Sequence, residues 1–94
     1  MLLRNVIGDE LRRHRLTQGR TLRDVAKAAA VSLGYLSEIE RGVKEPSSEM
    51  LAAICAALEI TVGNLVMAAG AQLQAAERSA EVIALRPIVT SKAA

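Results

Sequence analysis

The sequence predicts an all-α protein: a five-helix domain followed by an extra C-terminal helix. Three observations carry that expectation. Helix formers dominate the 94 residues, with 17 Ala and 12 Leu. Val, Ile and Thr are too scattered to build a sheet, and Tyr35 is the one aromatic residue. Apolar residues recur at three- and four-residue spacing between clear capping signals.

Helix 1 is expected over about residues 3–17, with Leu3, Ile7, Leu11 and His14 on its apolar side and Gly19 closing it. His14 reads as a core or boundary histidine. Thr21 and Asp24 have the spacing of a capping box and open a short second helix, whose inner face is Leu22, Val25, Ala26 and Ala29. Ala30 and Val31 form a tight connection, and Ser32 caps a third helix that buries Leu36 and Ile39. Gly42 is its C′ residue, and Val43 to Pro46 is a loop. Ser47 or Ser48 caps a fourth helix with the stripe Leu51, Ile54, Cys55 and Leu58. Thr61 caps a fifth, burying Val62, Leu65 and Val66.

Residues 1–69 make up the domain, 70–86 the extra helix and 87–94 a flexible tail, because Arg86-Pro87 is expected to break the helix. Leu65, Ala69, Leu73, Ala76, Ala80 and Ile83 recur by fours and threes. Such a thin seam of small residues fits a second copy of the chain, with packing on its own domain as the alternative.

Composition excludes several classes. A single aromatic cannot make a stacking platform for single strands. The length excludes a large two-domain enzyme. Cys55 has no partner for a disulfide and no neighbours at metal-ligand spacing, so it reads as a core thiol in a reducing compartment. No metal or other cofactor is expected, and no nucleophile–base pair stands out. Residues 60–76 are uncharged, but 17 residues that include Thr61, Asn64, Gln72 and Gln74 fall short of a membrane span, and no membrane partner is expected. Charge is uneven. Residues 1–46 carry 9 basic and 6 acidic side chains, residues 47–94 carry 3 and 4, and seven of nine arginines lie in the first half. Arginine suits phosphates and base edges, although a solvated helix face would look the same.

Residues 21–42 are the informative unit. Two short helices flank a turn of about three residues, and the small Ala26 lets them cross closely. The second helix keeps one polar side free: Leu33, Gly34, Tyr35, Ser37, Glu38 and Arg41. That is the pattern of a helix-turn-helix, whose second helix enters the DNA major groove. The run from Thr21 to Ser32, then Leu33 to Gly42 and Pro46-Ser47, resembles the xenobiotic-response-element or Cro/cI class of bacterial regulators over about residues 4–69. The wording Ser32 to Gly42, followed by Lys44 to Glu49, is similar to the actinobacterial Clp protease gene regulators, the ClgR family.

That resemblance implies a lambda-repressor-like DNA-binding fold and a homodimer on a pseudo-palindromic operator in double-stranded DNA. It also implies activation of Clp protease and stress genes in the cytoplasm, RNA polymerase as a partner, and turnover by the Clp protease. The class often places Gly where this chain has Ala30, so a positive φ there would strain an L residue.

Joined to side-chain chemistry, the resemblance implies the following roles. Ser32 meets a phosphate or base edge, Leu33 lies on the same helix start, and Gly34 permits close approach. Tyr35 reaches a phosphate or sugar, or packs partly into the core. Ser37 and Glu38 face bases, Glu38 accepting from cytosine N4 or pairing instead with Arg41. Arg23, Arg41 and Lys44 meet the DNA backbone, with a guanine as an alternative for Arg23. Glu40 reads as a structural partner. Ala93-Ala94 resembles a signal read by Clp-type proteases, with an inert end as the alternative. A protein-binding adaptor of the antitoxin kind is the rival on the same domain.

Overall fold

The computed structural model describes the backbone of residues 1–93 and the side chains of residues 1–80. Its helices are α1 (Leu3–Thr17), α2 (Leu22–Ala29), α3 (Leu33–Glu40), α4 (Ser48–Ala57) and α5 (Val62–Ala93). The described residues contain no strand, in agreement with the all-α expectation.

The caps are local and legible. The Thr21 hydroxyl accepts from the Asp24 N–H at 3.0 Å, while the Thr21 N–H donates to the Asp24 carboxylate at 2.9 Å. The Thr21 N–H, with the Thr21 hydroxyl beside it, holds the Asp24 carboxyl below its ordinary value. Ser32, Ser47 and Thr61 cap α3, α4 and α5 with one bond each, the side-chain oxygen accepting the N–H three residues on. Gly19 and Gly42 take positive φ after α1 and α3, as Gly does at helix ends.

The core is built from one face of each helix. Val6 and Leu11 come from α1, Val25 and Ala26 from α2, Leu36 and Ile39 from α3, Ile54 and Cys55 from α4, and Leu65 and Ala69 from α5. Leu58, just past α4, joins them. α1 packs on α3 and α5, and α2 packs on α3 and α4. Burial pushes the Cys55 thiol upward, which keeps it protonated and unreactive. His14 is half-buried, at the boundary.

Several expectations are corrected. Leu3, the first residue of α1, is exposed, and Val6 is buried beside the expected Ile7 and Leu11, so the stripe is wider than expected and starts one turn later. Val62 and Val66 are exposed at 37% and 45%, since α5 turns its Leu65 side inward. Leu65 and Ala69 are fully covered by their own domain, so neither can lie on a second copy. Leu73 is partly buried against that same core, and Ala76 is half-buried. Ala80 is exposed, and the Ile83 side chain lies outside the described residues.

The fifth helix and the extra helix are one element. α5 runs through Arg86-Pro87 to Ala93, so the backbone stays helical where a break was expected. Proline withdraws a single backbone donor, and the flanking Ala84, Leu85 and Ile88 are compatible with helix on either side. Ala94 lies outside the described residues, as does the Ala93 side chain. Among the described residues no single helix is long and apolar enough to cross a membrane.

Candidate nucleic-acid interface

The turn between α2 and α3 is Ala30, Val31 and Ser32. Ala30 adopts φ 57° and ψ 41°, the left-handed region, as the C-cap of α2. The Val31 N–H then bonds back to the Ala26 carbonyl at 3.0 Å, closing the helix end. The domain therefore holds an L residue where Gly fits best, and the helix-turn-helix geometry is kept.

Behind α3, Glu40 is the structural partner expected of it. Arg15 Nε and Nη2 donate to its two carboxylate oxygens at 2.8 and 2.9 Å, and Arg15 Nη1 donates to the Arg20 carbonyl at 3.0 Å. Both side chains are largely covered. The pair raises the Arg15 guanidinium above its ordinary value. Gly8 completes the seat: a Cβ there would sit 2.2 Å from the Ile39 carbonyl oxygen. Gly42 is likewise pressed on α1, its carbonyl accepting from Arg4 Nε at 3.1 Å. So α1 fixes both the body and the C-terminal turn of α3.

In front, α3 presents the predicted row. Ser32, Leu33 and Gly34 are exposed, and Ser37 and Glu38 are half-buried. The Ser32 oxygen accepts the Tyr35 N–H at 3.0 Å, which leaves its O–H free to donate. Tyr35 packs partly against the core. Lys44 crosses the surface of α3, its Nζ 5.8 Å from the Tyr35 ring centroid and 3.8 Å from Glu38 Oε1. Glu38 thus pairs with Lys44, six residues on, and not with Arg41, because the loop after α3 folds back over the helix. Arg23 and Arg41 are exposed.

Arg12 is a further basic side chain next to α3. It lines a cleft with Ser37 and Arg41 where α1, α2 and α3 meet. Seven of the nine arginines lie in the first half of the chain, but the face Arg12 occupies depends on how α1 lies across α3.

A helix-turn-helix domain family model matches residues 6–69. The transcriptional regulator ClgR of Mycobacterium tuberculosis is 57% identical over 79 residues, spanning 84% of this chain and 70% of that protein. This chain belongs to the ClgR family of helix-turn-helix regulators. The crystal structure of the clp gene regulator ClgR from Corynebacterium glutamicum matches with a TM-score of 0.77 and 44% identity, covering 93% of this chain and 95% of that one. At the level of fold alone, the restriction-modification controller protein C.AhdI of Aeromonas hydrophila aligns with a TM-score of 0.64 at 24% identity, covering 66% of this chain and 94% of that one. A ClgR-family chain with this fold is a DNA-binding transcription regulator and not an enzyme.

Proposed function

We propose that the chain acts as a homodimer in the cytoplasm, binds a palindromic operator, and activates Clp protease and other proteostasis genes. The observation that supports this reading best is the exposed N-terminal half of α3, braced from behind by Arg15 and Glu40. In this reading α3 lies in the major groove. Ser32, Leu33, Gly34, Ser37 and Glu38 meet base edges or come close to them, and Arg23, Tyr35, Arg41 and Lys44 meet the DNA backbone.

The second copy docks on α5. With Leu65 and Ala69 committed to the core, the seam is carried by Val62, Val66 and the uncovered part of Leu73, beside Ala76 and Ala80. Those first three residues are spaced by four and seven, one stripe of a coiled helix pair.

The test is selection of binding sites by the purified protein from a random duplex library at about 150 mM salt, where non-specific binding is weak. An enriched inverted repeat is expected. Enrichment of a single half-site would count against the dimer, and no enrichment against base readout. A reporter driven by the selected operator then tests the activator role.

A further inference from the structure

Core packing does not account for two neighbouring residues at the start of α3. Gly34 is helical, where Gly is unfavourable relative to Ala. A Cβ at Gly34 would meet nothing within 4 Å, unlike Gly8 and Gly42, where it would strike backbone or Asn5. So packing does not exclude a side chain there. Leu33, beside it, is 38% exposed and stands outside the core and the apolar side chains packed against it. A lone exposed Leu on an ordinary surface means little. This one occupies the first turn of the helix whose N-terminal residues meet base edges.

We propose that Leu33 reads the C5-methyl group of a thymine in each half-site. The missing side chain of Gly34 lets the backbone approach the base edges. The branched end of Leu33 then reaches the one apolar group that the major-groove floor displays, the thymine methyl. Ser37 lies one turn further along from Leu33 and offers a hydroxyl to an adjacent base. The inference rests on the placement of α3 in the major groove proposed above.

The experiment replaces each dT of the selected operator by dU, one at a time and symmetrically in both half-sites, and measures affinity of the full chain by fluorescence anisotropy. Burying one methyl predicts a loss of about three- to fivefold per half-site at one thymine position. Leu33→Ala removes that sensitivity, while Leu33→Met, which keeps an apolar tip, retains it. Both variants are at an exposed position, and circular dichroism melting checks that they fold. Three results overturn the proposal: no thymine position is sensitive, the sensitivity survives in Leu33→Ala, or the selected half-site lacks thymine. Failure of the underlying reading has a different signature: no operator is enriched, and dT and dU duplexes bind alike with only salt-sensitive affinity. That result overturns both.

Discussion

Arg15 of α1 and Glu40 at the end of α3 form a two-point pair, Nε to Oε2 at 2.8 Å and Nη2 to Oε1 at 2.9 Å, across 25 positions of sequence. The pair lies behind α3, the helix proposed to read bases, so its geometry fixes how that helix projects. Removing one partner leaves a covered charge uncompensated. Glu40→Ala is expected to cost about 3 kcal/mol in urea unfolding. The double variant Arg15→Met, Glu40→Leu is expected to cost less than Glu40→Ala alone, since apolar groups of similar size restore the packing. Equal or greater loss in the double variant would mean that the pair itself contributes net stability.

Glu10 links α1 to α5. It is 2% exposed, and its carboxylate accepts from Arg13 and from Gln72. Burial alone would raise its titration point, but the two hydrogen bonds outweigh it and hold the carboxyl below the ordinary 4.5. The stabilisation is therefore fully present above about pH 4.5 and is lost as pH falls through the lower folded value. Glu10→Gln is expected to lose about 1–3 kcal/mol at pH 7, with the gap to the parent chain closing on acidification. Thermal melts from pH 7 to pH 3 check this, and a gap that widens in acid would contradict it.

Ala30 and Gly8 make opposite demands. At φ 57°, Ala30→Gly removes the left-handed penalty and adds some unfolded-state entropy. A net gain of about 0.5 kcal/mol is expected, read as a melting point higher by about 2–4 °C. Operator affinity should not change. Gly8→Ala is expected to destabilise by about 2 kcal/mol or more, because the added Cβ meets the carbonyls of Ile39 and Glu40, which a helix cannot move cheaply.

Gly34→Ala separates stability from function. The position is open, so the added methyl is expected to stabilise α3 by about 0.5–1 kcal/mol. The same methyl should weaken operator binding if α3 docks in the groove as proposed. A variant that melts higher and binds as well as the parent would remove Gly34 from the interface.

What the sequence determined by itself is local. Thr21 with Asp24, Ser32, Ser47 and Thr61 each open a helix through a bond spanning three residues, and Gly19 and Gly42 follow helix ends with positive φ. Chain-local periodicity also marked Leu36, Ile39, Ile54 and Leu58 as core, and left the polar side of α3 visible as a candidate reading face.

What only the tertiary structure decided depends on which surfaces meet. Leu65 and Val66 are adjacent and equally apolar, and the packing of α5 on α1 buries one and leaves the other in solvent. The same packing moves Leu65 and Ala69 from the expected dimer seam into the core. Glu10, a charged residue inside a buried stripe, finds its partner 62 positions away in Gln72. Arg15 and Lys44 carry the same charge and were equally free in the sequence. Crossing helices covered the first with Glu40, while a loop laid the second over Tyr35 and Glu38. Caps and turns need only neighbours a few residues apart. Burial and ion pairing depend on contacts between distant segments, and those follow from the crossing of the helices.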